Sequence, residues 1–241
     1  MCDEWMVRLD LPITVEQFQR LPRHAAYRYD YFEGRAWINP KPRYYHAMLD
    51  LATAPAEGDS PHARTRPFQA DDWDRLPELF ASAFRGLQPF GGLADAERAE
   101  AARQCLKQTR EGGDGPWIER ASHVALSADG ETMLGAALIT LTPPADPTSW
   151  DGFRWTKPPP ADAVARRIGR PHLTWIFVTP ARTGEGVGTL LLHAATRSLR
   201  EMGFTELAST FLVGNDSSTL WHWRNGFRLL TYPGSRRSFE G

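Results

Sequence analysis

Apolar and polar positions change period several times along the chain, and each change marks an element. Trp175 to Val178 are aromatic or β-branched, which predicts a buried strand; Pro180 has no N–H to donate and predicts its end. Beyond it Val187, Leu190, Leu191, Ala194, Ala195, Ser198 and Met202 recur at three- and four-residue steps, so a helix with one apolar face follows. Gly203-Phe204 supplies a glycine end with an apolar residue behind it. Upstream, residues 122–127 and 132–141 flank Asp129-Gly130 and predict a hairpin. Two helices precede that hairpin. One carries Trp73, Leu76, Leu79, Phe80 and Phe84 behind a cap at Asp71 or Asp72; the other is alanine-rich, runs from Ala96 to Arg110 behind Asp95, and is broken at 112–116. Residues 64–68 read as the strand before them.

The first sixty residues have a different rhythm. A short helix over 14–22, with Thr14 as N-cap and Phe18 turned inward, leads to a hairpin in which 27–32 and 35–39 join at Glu33-Gly34. Tyr27, Tyr29 and Tyr31 then share a face. Such a stripe beside arginines could stack on nucleobases, but a stripe covering a neighbouring sheet is commoner, so nucleic acid is not the expected partner. Ala54 to Pro61 is small, polar and interrupted by prolines, which predicts a linker. The expected division is an N-terminal helix and hairpin appendage, 1–60, followed by the main domain, 61–241. Within the latter, 143–171 is a long loop carrying Pro143-Pro144, Pro158-Pro159-Pro160, Trp150, Phe153 and Trp155. Loops of that length usually cover a site or are disordered, and the aromatic residues argue against full disorder. Two readings stand: a lid over an acceptor pocket, or a brace against the N-terminal hairpin.

At 241 residues the chain can bury a sizeable core. Its two cysteines, Cys2 and Cys105, are too few for a disulfide framework or a cysteine metal site, so no metal is expected. No apolar run approaches membrane-spanning length and the N-terminus lacks the features of a signal peptide, so the expected location is the cytoplasm. Net charge is −1, but residues 166–241 hold ten Lys or Arg against five Asp or Glu. A glycine run, Gly184, Gly186 and Gly188, falls in that basic third, where the strand feeds the helix. First-turn N–H groups lack intrahelical partners and glycines let an anion approach them, so the position suits a phosphate. Spacing excludes two loop classes. A phosphate-binding Walker loop needs Gly-Lys before its Ser or Thr, and Val187 stands before Gly188-Thr189; a dinucleotide fingerprint needs G-x-G-x-x-G, and this loop reads G-x-G-x-G.

The run Val178-x-Pro180 followed by Arg182-Thr183-Gly184-Glu185-Gly186-Val187-Gly188 and an amphipathic helix resembles the acetyl-CoA loop of the GNAT acetyltransferase superfamily. A second block supports the resemblance: Asn215 to Phe227 is similar to the family's closing motif, in which Asn leads a helix ending in Gly-Phe, here Gly226-Phe227. Together they extend it over roughly residues 64 to 232. The resemblance implies an α/β fold of the α+β kind, with a mixed, mostly antiparallel central sheet flanked by helices. Two positions depart from the usual pattern: Thr183 stands where Arg or Gln normally precedes the first glycine, and His222 stands where a Tyr commonly protonates the departing thiolate. The segment Thr14 to Gly34 is also similar to the start of the Uma2-type, restriction-endonuclease-like family. No Glu-x-Lys occurs in the chain, so that family's metal-dependent nuclease site is not carried over.

By the GNAT resemblance, acetyl-CoA is the cosubstrate. Its pantetheine would pair with the backbone of Phe177 and Val178, and its pyrophosphate would sit on Arg182, Thr183, Gly184, Glu185, Gly186, Val187, Gly188 and Thr189. Asn215 would touch the cofactor or cap the closing helix. A primary amine on a small molecule or peptide would attack the thioester directly, with His222 as candidate acid and His172, ahead of Glu131 and Glu119, as candidate base. The alternative from a different class is a CoA-binding regulatory or scaffold module that keeps the fold without the activity. Self-association into a homodimer stays open, and the acceptor amine carries no motif.

Overall fold

A computed structural model describes residues 5–54, 60, 62–148 and 154–231. Residues 55–59 and 61 of the expected linker, and Trp150 and Phe153 of the long loop, lie outside them. In chain order the elements are β1 (Leu9–Pro12), α1 (Val15–Arg20), β2 (Tyr27–Phe32), β3 (Arg35–Pro40), β4 (Tyr44–Asp50), β5 (Ala63–Pro67), α2 (Leu76–Ala83), α3 (Asp95–Arg110), β6 (His123–Ser127), β7 (Met133–Thr142), α4 (Ala163–Arg166), β8 (Arg170–Val178), α5 (Val187–Glu201), β9 (Glu206–Leu212), α6 (Asp216–Arg224) and β10 (Arg228–Thr231). Seven strands form one sheet in the order β10-β4-β9-β8-β7-β6-β5, and a three-stranded sheet, β1-β3-β2, stands apart. Every neighbouring pair of the large sheet is antiparallel except β8 with β9. The mixed, mostly antiparallel sheet expected from sequence is therefore present, as are the helix and hairpin at the N-terminus.

The small elements form for local reasons. Thr14 Oγ1 accepts from Gln17 N–H while the Gln17 side chain accepts from Thr14 N–H, a capping box that starts α1. The tyrosine stripe is used internally: Tyr29 Oη accepts from His24 N–H, Tyr31 Oη donates to the Ile13 carbonyl, and Tyr27 packs beside Met6, Ala26 and Leu212. At the other end Gly203 takes φ +82° and Phe204 N–H reaches the Leu199 carbonyl, which closes α5 as the sequence predicts.

Two regions depart from the reading of the sequence. Residues 44–50, grouped there with the appendage, form β4, which pairs over its whole length with β9 and on its other side with β10. The excursion from β9 through α6 to β10 skips one strand position, and the N-terminal segment fills it. Its residues Ala47, Leu49 and Leu51 are buried in the main core, which explains the placement: an apolar face needs an apolar neighbour. The long loop, secondly, is structured beyond residue 154. Trp155 Nε1–H donates to the Leu141 carbonyl 2.7 Å away, Ala163 of α4 is fully buried, and β8 already begins at Arg170.

Cores lie on both faces of the large sheet. On one face α5 packs Val187, Leu191, Leu192, Ala195 and Leu199 against Ala137, Ile139, Leu173 and Leu207. On the other, α2 and α3 close over Val124, Ala136, Leu138 and Phe177, with Phe80 edge-on to Trp175 and Phe177. Phe80 is fully buried, which is worth roughly 1.5–3 kcal/mol of transfer free energy and holds α2 against β8.

Candidate functional site

The strands β8 and β9 pair only at His172 with Ala208 and Leu173 with Ser209. Beyond that point they part, so a fork opens between residues 174–178 of β8 and 210–212 of β9. The opening has a local cause. Leu138 of β7 opposes Trp175 while the next residue, Ile139, opposes Leu173, so Thr174 is an extra residue in β8. Such a bulge bends its strand and re-aims side chains. Here it puts Trp175 and Phe177 on the face of α2 and α3, and Ile176 and Val178 against the α5 core.

Backbone direction along β8 follows from one bond. Thr179 N–H donates to the Leu134 carbonyl of β7 at 2.7 Å. Polar groups alternate along a strand, so Phe177 and Trp175 also turn theirs toward β7, whereas Ile176 and Val178 turn theirs into the fork. A Cβ placed on Gly135 of β7 would stand 2.7 Å from the Phe177 carbonyl, in keeping with that assignment. Of the two residues expected to pair with a ligand arm, Val178 faces the fork and Phe177 does not. Ile176 faces the fork as well, and no local pattern marks it, because only the bulge fixes which parity faces outward.

The fork leads to the N-terminus of α5. Pro180–Arg182 makes one 3-10 turn, after which Gly184 and Gly186 take φ +86° and +81°. Nothing lies within 4 Å of a Cβ at either position, so the space beside these exposed glycines is open. Gly186 is the N-cap, and Leu190 N–H is the first in α5 to reach back, to the Gly186 carbonyl. The N–H groups of Val187, Gly188 and Thr189 therefore have no partner inside the helix. Gly188 has a different role from its neighbours: a Cβ there would meet Trp221 Nε1 at 3.3 Å, so its smallness lets α6 lie against α5. Val187 is buried in the core, Thr183 is exposed, and Arg182 pairs with Glu185 at 3.0 Å across the loop, which offsets part of its charge.

Asn215 caps α6: its Oδ1 accepts from Ser218 N–H at 3.1 Å and from Ser217 Oγ at 2.8 Å. The two candidate imidazoles flank the fork root on opposite faces. His222, 3% exposed, stacks on Phe211 at 4.0 Å between centroids. Its Nδ1 lies 2.7 Å from the Ser218 carbonyl, which can only accept, so the ring proton is on Nδ1 and Nε2 accepts from Ser209 Oγ at 2.8 Å. Burial pushes its pKa down to about 4. His172 keeps some accessible surface but is closely surrounded by protein; its Nδ1 meets Thr174 Oγ1 at 3.1 Å and its Nε2 meets Thr210 Oγ1 at 2.9 Å. Burial, with the imidazoles of His46 and His222 nearby, pushes its pKa to about 3. Both rings are neutral at pH 7. Glu131 and Glu119 are exposed, on the turn before β7 and on the 119–121 turn. Among the described residues no cluster of three His, Cys, Asp or Glu could hold a metal, and no helix is long and apolar enough to cross a membrane.

A mixed sheet forked beside a glycine-bearing helix N-terminus defines a class, and the sequence comparison names it. The acetyltransferase (GNAT) family model matches residues 73–227, and the chain belongs to that family. Among solved structures, a GCN5-related N-acetyltransferase from Sphaerobacter thermophilus is similar at 14% identity and a TM-score of 0.52, over 92% of this chain and 56% of that one. This chain thus aligns with little more than half of that neighbour's length. The PaiA N-acetyltransferase of Thermoplasma acidophilum, solved with coenzyme A, is 15% identical at a TM-score of 0.47, over 72% of this chain and 94% of its own. A GNAT family acetyltransferase of Brucella melitensis, solved with acetyl-CoA, is 20% identical at a TM-score of 0.45, over 73% and 92%. No curated protein matches the chain at a significant level.

Proposed function

We propose that the chain transfers an acetyl group from acetyl-CoA to a primary amine by direct attack on the thioester. The observation that carries this reading is the fork, whose free β8 edge runs into the bare first-turn amides of α5, in a chain of the GNAT family. The residues suit the group. Val178 and Ile176 offer main-chain donors and acceptors to the amides of the pantetheine arm; the open, positive-φ glycines 184 and 186 let a diphosphate reach the N–H groups of residues 187–189. Thr183 and the Arg182–Glu185 pair border that position, and Asn215 shapes its rim by holding α6.

In the reaction the amine nitrogen bonds to the thioester carbonyl carbon, the C–S bond breaks, the sulfur leaves as thiolate and the nitrogen gives up a proton to solvent. Placement of the two reactants supplies the main part of the acceleration. A strand N–H facing the fork stabilises the carbonyl oxygen as charge gathers on it.

Neither imidazole suits the acid–base roles expected from the resemblance. Protonating a group of pKa about 4 at pH 7 costs about 4 kcal/mol, as much as general acid catalysis ordinarily contributes. The proton that His222 does carry points at the Ser218 carbonyl. A thiol of ordinary pKa, near 8.5, can leave as thiolate and be protonated afterwards, so we assign His222 to packing. His172 is too weak a base to deprotonate an ammonium.

A second reading, a CoA-binding module without turnover, gains from that same neutrality. One assay separates the two: acetyl-CoA and a panel of primary amines are incubated with the protein while free thiol is titrated. Amine-dependent thiol release is expected. Uptake of CoA with no release above the rate without protein would favour the binding module.

A further inference from the structure

A line of hydroxyls and one imidazole crosses the sheet at the fork root, and the direction of every proton in it follows from its far end. The Asp114 main-chain carbonyl can only accept, and Thr140 Oγ1 lies 2.9 Å from it, so the single hydroxyl proton of Thr140 points there. Thr140 Oγ1 has only lone pairs left for Thr174 Oγ1 at 2.7 Å, and Thr174 donates there rather than to the His172 carbonyl, which stands farther off at 3.4 Å. With that proton committed, Thr174 Oγ1 accepts from His172 Nδ1 at 3.1 Å. A neutral imidazole protonated at Nδ1 has a bare Nε2, to which Thr210 Oγ1 donates across 2.9 Å. All four donors run from β9 toward Asp114. Thr210 is left presenting lone pairs alone. It is partly buried, stands one residue past the last β8–β9 pair, and opposes His46 in the β4–β9 register.

We propose that Thr210 Oγ1 accepts a hydrogen bond from the attacking amine, and that His172 is the positioning residue that holds Thr210 in its accepting state. The inference rests on the acetyl-transfer reading. An amine with one N–H engaged at Thr210 turns its lone pair toward a thioester lying on the β8 edge. A hydroxyl free to rotate would also offer its proton to that lone pair and mask it. Each donor in such a row polarises the next, which strengthens the acceptor at the open end. Nothing is relayed along it, because a carbonyl at the terminus cannot keep a proton. The site therefore selects acceptors that carry at least one N–H.

Two measurements test this. Nitrogen-15 spectra of histidine-labelled protein, with His172 assigned by its loss in His172→Gln, report the tautomer without any turnover. Wild type should be protonated at Nδ1, and Thr140→Val, which removes the anchor on β7, should populate both tautomers. In the thiol-release assay Thr210→Val should raise KM for the amine about tenfold with CoA affinity unchanged, and Thr210→Ser should recover most of the loss. An Nε2-protonated His172 in wild type, an unchanged amine KM in Thr210→Val, or equal damage in Thr210→Ser would overturn the proposal while leaving acetyl transfer standing. CoA uptake without thiol release in wild type would instead remove the acetyl-transfer reading, and this proposal with it.

Discussion

The glycine loop at α5 and the root of the β8–β9 fork are neighbours built on opposite plans. The loop works through main chain: Gly184 and Gly186 are exposed, take positive φ and have open space beside them. The root works through side chains: His222 and Ser209 are buried, and Thr140, Thr174, His172 and Thr210 are interlocked across three strands and tied to the Asp114 carbonyl in the turn after α3. A main-chain site must be written locally, because only glycine relieves a positive φ at no steric cost. A side-chain network can be assembled from residues that look ordinary in sequence, since what makes it is register. The loop should therefore fail by electrostatics when mutated, and the root by loss of packing or of orientation.

The largest expected effect is at the loop. Gly186→Asp should fold, because Asp tolerates a positive φ and no atom blocks its side chain, yet it places a carboxylate where the diphosphate is proposed to sit. Calorimetry should show CoA affinity reduced at least a hundredfold on the order set by such charge repulsion. Gly186→Asn has nearly the same shape without the charge and should lose only a few-fold. Equal losses would mean that steric fit, not anion binding, defines the loop.

Next is acid sensitivity at the root. His222 titrates at about 4 in the folded chain against 6.5 unfolded, so the unfolded state binds more protons between those values and stability falls as pH drops through that window. The loss should be on the order of 3 kcal/mol from this residue. Burial lowers His172, to about 3, and His46 and His123 as well, which adds in the same direction. Urea unfolding at pH 7 and pH 4.5 measures it, and a His222→Phe chain should lose less between the two. A stability that does not fall would show the ring to be solvated.

The smallest effect is the most discriminating between packing and chemistry. At pH 7.5, His222→Phe should destabilise by about 1–3 kcal/mol because Ser209 loses its partner, while kcat for acetyl transfer changes less than about threefold. A tenfold or greater fall in kcat with unchanged stability would restore His222 as the acid.

Much of the fold was legible in the sequence, for reasons the contrast explains. Val187 to Met202 announces a helix by its period, Gly203-Phe204 announces its end, and the Asp129-Gly130 hairpin is spelled in its turn. The glycine loop was legible in the same way. Three things were not. β4 reads as part of an appendage because its partners, β9 and β10, lie more than 150 residues downstream, and strand pairing at that separation leaves no local mark. The parity of β8 depends on the extra residue at Thr174, so the sequence points to Phe177 where Ile176 faces the fork. His172 is named by the sequence only as a candidate base. Its state follows from Asp114, Thr140 and Thr210, which no spacing rule connects to it.

Isothermal titration of the full chain with coenzyme A addresses the core of this account most directly. The fork and the bare amides of α5 predict saturable uptake of one CoA per chain, abolished or weakened at least a hundredfold by Gly186→Asp and little changed by Gly186→Asn. Folded wild-type protein that binds no CoA, or binds it equally well with Asp at position 186, would contradict it.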